Sequence, residues 1–161
     1  MKTNLIKRLI TIAAATAFML AIGTGAVHAR DNGNGTYTDA TGLVWLKDAG
    51  CLGSMNWVDA TASPKNLAHG KCGLSDNSRP GSWRLPTGDE LNRIHQELSG
   101  FTNIRQGNYW SSSCVVQMQG PGWGMPVTLC NSSSLDGHPY SIYSREMINK
   151  INYVLPVRAG Q

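Results

Sequence analysis

Charge is scarce in this sequence: Asp, Glu, Lys and Arg together make up 15% of the 161 residues. No block of like charges occurs, so there is no basic tract for nucleic acid and no acidic tail. H-E-x-x-H and G-x-S-x-G are absent, which leaves a hydrolase without a local metal or nucleophile signature. His69, His95 and His138 are scattered rather than clustered. C-x-x-C is absent as well, and the cysteine spacings do not resemble a zinc finger or ribbon. There is no internal repeat, no coiled-coil heptad and no second long apolar run. Together these absences exclude repeat architectures and polytopic membrane proteins.

What the chain does have begins at its first residues. Lys2, Lys7 and Arg8 precede an apolar run from Leu9 to about Ala26, which ends in Val27-His28-Ala29. A charged start, an apolar centre and a small residue before the cut describe a secretory leader, with cleavage expected before Arg30. Removing residues 1–29 from the 161 leaves 132, a length that suits one domain with a modest core. It also takes away three of the fourteen basic side chains. Eleven bases then face ten acids, a net charge of +1, so most of the apparent basicity belongs to the leader. The expected product is exported, periplasmic or extracellular, with no membrane span after cleavage and no nucleic-acid partner.

All four cysteines, Cys51, Cys72, Cys114 and Cys130, lie in the exported part. An even count in a small secreted domain reads as disulfides. Four cysteines allow three pairings. The sequential one, Cys51 with Cys72 and Cys114 with Cys130, closes two loops of about twenty residues, each worth about 3 kcal/mol in the chain-entropy account.

Asp31 to Gly35 reads as a Gly/Asn turn, followed by a hairpin of Thr36–Thr38 and Leu43–Leu46 around Asp39-Ala40-Thr41-Gly42. Asn56 is placed to cap a short helix through Trp57, Val58, Ala60 and Ala62. Pro64 cannot continue that helix, so a restart is expected with Ser63 as cap, running to Gly70. Residues 72–82 are rich in Gly, Ser, Asn, Asp and Pro and read as an irregular surface loop. The most sharply patterned stretch is Gly81-Ser82-Trp83-Arg84-Leu85-Pro86-Thr87-Gly88-Asp89-Glu90-Leu91. Trp83 and Leu85 point one way from an extended segment and Arg84 the other. Pro86 stops pairing and forces a turn, and Thr87 with Glu90 forms a capping box for a helix carrying Leu91, Ile94 and Leu98 on one face. Packing and capping explain each of these residue types. Arg84 leaves a buried segment and needs a carboxylate, for which Glu90 and Asp89 are nearest.

Beyond Gly100 the chain is β-rich: Tyr109–Val116, Trp123–Cys130, and a last strand with Ile151, Tyr153, Leu155 and Val157 on one face and Pro156 marking an edge or bulge. The expected fold class is α+β, with short helices on a twisted, largely antiparallel, disulfide-stapled sheet. Trp45, Trp57, Trp83 and Trp110 sit in core-like contexts, whereas Trp123 is flanked by glycines. Trp123, Tyr140, Tyr143 and His138, near Arg145 and Lys150, are the ligand-binding candidates. Flat rings can stack on sugar faces, and cations can meet sulfate or carboxylate groups. No catalytic residue, metal or cofactor is expected, and the oligomeric state stays open.

Five motifs occur in order: Asp39-x-Thr41-Gly42-Leu43-Val44-Trp45, Asn56-Trp57-x-Asp59-Ala60, Trp83-Arg84-Leu85-Pro86-Thr87-x-x-Glu90-Leu91, Tyr109-Trp110-Ser111-Ser112, and Val154-Leu155-Pro156-Val157-Arg158. In this set, which covers nearly all of residues 30–161, the chain resembles the Lcl C-terminal domain family, named after a bacterial collagen-like adhesin. The resemblance implies a C-type-lectin-like fold, of the branch shared with formylglycine-generating enzymes, and an exported location. The founding adhesin is associated with sulfated glycosaminoglycans as a trimer on a collagen-like stalk; no G-x-y repeat occurs here. The expected function is a non-catalytic binding module for a glycan or a cell-surface protein. Two alternatives are a copper-thiolate oxidase like the formylglycine-generating enzymes and a structural subunit of a surface assembly.

Overall fold

A computed structural model describes residues 27–120, 125–135 and 143–160. These residues fold as an α+β domain in which two sheets, two short α-helices and two disulfides are described. Strands β1 (Arg30–Asp31), β2 (Thr36–Thr38) and β3 (Val44–Leu46) open the chain. β4 (Ser54–Met55), α1 (Trp57–Ala62) and α2 (Gly88–Ile94) follow. The long strands β5 (Asn108–Gln119) and β6 (Met125–Ser134) come next, then β7 (Tyr143–Met147), β8 (Asn152–Tyr153) and β9 (Val157–Arg158). The first sheet runs β1-β2-β3-β9, and the second runs β4-β8-β5-β6-β7. All pairings are antiparallel except β5 with β8, which is parallel.

The β2–β3 hairpin forms around one carboxylate. Asp39 Oδ1 accepts from the Thr41 N–H at 2.8 Å, the Thr41 hydroxyl at 2.7 Å and the Leu43 N–H at 3.0 Å. Its Oδ2 accepts from Trp45 Nε1 at 2.8 Å. The turn needs a positive φ at its last position, which Gly42 supplies at 90°. One side chain thus closes the turn and fixes the indole of a core residue.

The main core lies on one face of the first sheet. Tyr37, Trp45 and Val157 pack there with Leu91 and Ile94 of α2, and with Phe101, Tyr109 and Leu155. On the other face of that sheet, Val44 and Leu46 meet Leu67, Leu74 and Trp83. A third cluster joins Ala60 of α1 to Leu85, Trp110, Cys130 and Val154. Trp45, Trp83 and Trp110 are buried, while Trp57 is half-buried and donates its Nε1–H to the Ser111 carbonyl. The Ser111 and Ser113 hydroxyls are spent on backbone groups: Ser111 Oγ donates to the Asn131 carbonyl, and Ser113 Oγ accepts from the Gly88 N–H.

Three expectations need correction. The helix after Pro64 is a single 3-10 turn, Ser63–Asn66; Ser63 makes no cap, and the turn ends where Leu67 becomes extended rather than at Gly70. Pro64 sits at the start of this turn, where its missing N–H costs nothing. Residues 72–82 are irregular but not wholly superficial. Leu74 is buried, and the Asp76 side chain is 1% exposed, because this loop is the lid over one face of the first sheet. Finally, Ile151 to Val157 is not one strand. β8 belongs to the second sheet and β9 to the first, and Val154, Leu155 and Pro156 cross between them buried, leaving Ile151 60% exposed. Pro156 lacks a donor but still accepts from the Leu46 N–H, which suits a crossing point better than a continuous ladder.

Candidate functional site

The sequence stretch Asn32-Gly33-Asn34-Gly35-Thr36-Tyr37-Thr38 places Asn, Asn, Thr and Thr at every second position. The register of the first sheet puts consequences on that alternation. Arg30, Thr38, Val44 and Arg158 are aligned across its four strands, and Tyr37, Trp45 and Val157 are aligned in the next row. The second row is core. The first row belongs to the opposite face, where the loop lid stops short and leaves an open basin of about 420 Å³. That volume falls within the usual range of small-molecule sites, roughly 300–1,000 Å³. Its lining comprises Arg30, Asn32, Asn34, Thr36, Thr38 and Arg158, with Val27, Gly42, Val44 and Gly160 at its sides.

The floor is a connected polar ladder. Asn32 Nδ2 donates to Thr36 Oγ1 at 2.8 Å and to Thr38 Oγ1 at 2.9 Å, and Thr36 Oγ1 donates to Asn34 Oδ1 at 2.7 Å. Arg30 Nε donates to Asn32 Oδ1 at 3.2 Å. Thr36 and Thr38 are buried. Asparagine and threonine carry both donors and acceptors, so this floor can address a ligand's hydroxyls in either sense.

Arg158 forms the far wall, and its guanidinium is held from several directions. Nη2 donates to Asp76 Oδ2 at 3.1 Å, Nη1 donates to the Ala159 carbonyl at 3.2 Å, and the group lies 5.3 Å from the centre of the Trp83 ring. Burial opposes ionisation of Asp76, but hydrogen bonds from Ser78 and Arg158 outweigh it and hold its carboxyl below the ordinary value. Arg158 is therefore matched in charge by Asp76, while its Nε–H has no acceptor. Among the described lining residues there is no carboxylate. The carboxyl-terminal tail closes the basin rim: a Cβ on Gly160 would stand 2.5 Å from the Gly42 carbonyl oxygen, an approach only glycine permits.

The patterned Trp83–Leu91 stretch is framework. Arg84 meets Glu90 through two bonds, Nη1–Oε2 at 2.7 Å and Nη2–Oε1 at 2.8 Å. Glu90 Oε2 also accepts from the Thr87 N–H, completing the capping box, and Pro86 is buried ahead of it. The Arg84 guanidinium holds the Glu90 carboxyl below its ordinary value despite partial burial. The two disulfides are Cys51–Cys72 and Cys114–Cys130, the sequential pairing.

The ligand candidates named from the sequence divide differently. Trp123, His138 and Tyr140 lie outside the described residues. Tyr143 and Arg145 belong to β7, Arg145 is exposed, and Lys150 is exposed in the turn that follows. Neither Arg145 nor Lys150 lines the basin. The basin residues begin in a Gly/Asn-rich run that reads first as a turn: Asn32 and Asn34 do sit in that irregular run, and only Thr36 and Thr38 share a strand face.

A second surface is apolar. Val58, Ile148 and Ile151 are exposed around a shallow hollow shared with Asn56, Asp59 and Asn149. Val115, Val116 and Met118 are exposed on β5. Among the described residues, no three His, Cys, Asp or Glu side chains converge as a metal site, and no helix is long and apolar enough to cross a membrane. Two disulfides in such a chain are compatible with an exported protein. No protein-family model, curated protein or solved structure matches this chain.

Proposed function

We propose that this is an exported, non-catalytic binding domain of the C-type-lectin-like kind, related to the Lcl C-terminal domain family, whose ligand is a glycan at a cell surface. The observation that carries this reading is the polar basin on the first sheet, with its hydrogen-bonded Asn/Thr ladder between two arginines. Clustered amide and hydroxyl groups suit a polyol, because each can donate to one sugar hydroxyl and accept from another. A protein ligand is the second reading, favoured by the exposed Val58, Ile148 and Ile151. The copper-thiolate alternative requires two free thiolates, whereas all four cysteines are bridged. The edge position of β7 in the second sheet is the feature a surface-assembly subunit would use.

The test is a glycan array probed with the secreted chain and with its Asn32→Ala/Thr36→Val double variant. Glycan binding that the double variant loses, with an unchanged melting profile, supports the reading. Binding retained by that variant, or lost only on changing Val58 and Ile151, removes the basin from it.

A further inference from the structure

One side of the basin is formed by a residue that the expected leader cleavage would remove. Val27 forms one of its sides, with its methyl groups 3.7 and 3.8 Å from the place a Cβ on Gly42 would occupy. Val27 lies ahead of the expected leader cleavage, and Arg30, the first residue behind it, lines the same basin. One proteolytic event therefore has two local effects. Hydrolysis of the Ala29–Arg30 peptide bond, with water as co-reactant, leaves a carboxylate on the departing Ala29 and an amine on Arg30. It removes the Val27 wall from over Gly42, and it creates an α-ammonium on a basin residue.

The charge count shows why the second effect matters. Arg158 is paired with Asp76. In the unprocessed chain the Arg30 guanidinium is then the one basin cation without an ion pair among the described residues. An α-amino group titrates near 7.7–8.0 in model peptides, so at neutral pH most of it is charged. Cleavage thus adds a second such cation beside a neutral floor that offers hydroxyl and amide groups.

We propose that leader removal completes this basin as a site for an acidic sugar unit, its carboxylate held by the α-ammonium and guanidinium of Arg30 and its hydroxyls by Asn32, Asn34, Thr36 and Thr38. The inference rests on the basin being the ligand site and on cleavage before Arg30. It makes processing the step that switches binding on, so the precursor does not engage sugars before it is exported.

Amino-terminal sequencing of the secreted chain comes first, and Arg30 is the expected start. Calorimetric titration then compares three forms: the secreted chain, a form retaining Val27-His28-Ala29 ahead of Arg30, and the secreted chain Nα-acetylated on Arg30. The probes are sialyllactose and trigalacturonate, each measured against lactose. The secreted chain is expected to bind at least one acidic probe about tenfold or more tightly than lactose, the size of one charge-assisted hydrogen bond. The retained form is expected to lose that margin, and the acetylated form to lose most of it. A start other than Arg30, equal affinity of the three forms, or equal affinity for lactose overturns the inference. If the three forms bind equally and Asn32→Ala/Thr36→Val abolishes binding, the basin reading survives. If neither the probes nor lactose binds any form, or the double variant binds normally, the basin reading falls with it.

Discussion

The two faces of the first sheet share every backbone hydrogen bond yet carry opposite chemistry. On one face, Tyr37, Trp45 and Val157 form a row sealed against α2, Phe101 and Leu155. On the other, Arg30, Thr38, Val44 and Arg158 form the neighbouring row, half covered by a disulfide-tied loop and half open. Strand alternation requires two faces but does not dictate that one be hydroxyl- and amide-rich. A structural outer face needs only solubility. Thr36 and Thr38, buried and joined through Asn32, go further, since polar side chains fixed in mutual register cost entropy that exposed lysines would avoid. The comparison separates a face wholly given to packing from one that is packed under the loop and ordered but polar where it is open, an order that the proposed recognition would explain.

The comparison predicts unequal responses to substitution. Trp45→Ala should have the largest effect, about 3–5 kcal/mol in urea denaturation, because it empties the sealed face and removes the indole donor from Asp39 Oδ2. Opening Cys51–Cys72 with paired serines should cost about 3 kcal/mol and loosen the loop lid that carries Leu74 and Asp76. Thermal denaturation under non-reducing conditions checks it.

Tyr37 gives a smaller, pH-restricted effect. Burial, followed by the hydrogen bond to Glu97, raises its hydroxyl to about 12. The unfolded tyrosine ionises near 10. The folded state disfavours the phenolate, so the stability contribution is full below about 10 and is lost as pH rises towards 12. Melting curves between those limits should fall more steeply for the parent chain than for Tyr37→Phe. The smallest effect on stability belongs to Thr38→Val on the open face, under about 1 kcal/mol, because it deletes one hydroxyl of the ladder and keeps the shape. Its sugar affinity should nonetheless fall, and a loss of stability matching that of Trp45→Ala would erase the distinction between the faces.

Much of the framework was legible because local chemistry and tertiary structure agree there. Asp39 and Gly42 announce the hairpin, Asn56 and Thr87 announce helix starts, and the cysteine spacings lead to the observed bridges. What was not legible depends on long-range placement. Val154-Leu155-Pro156-Val157 looks like part of one strand until the crossing between sheets is seen. Asp76 looks like a loop residue until Arg158, 82 positions later, is found against it. The basin combines both difficulties: its ladder is local and readable from Asn32 to Thr38, but its far wall comes from the other end of the chain.

Amide chemical-shift mapping of the secreted chain during titration with sialyllactose tests the central claim most directly. The account predicts changes concentrated at Asn32–Thr38, Val44 and Arg158, with Trp45 and Tyr109 in the sealed core little affected. Changes confined to Val58, Ile148 and Ile151, or to Arg145 and Lys150, would contradict it and place ligand recognition away from the first sheet.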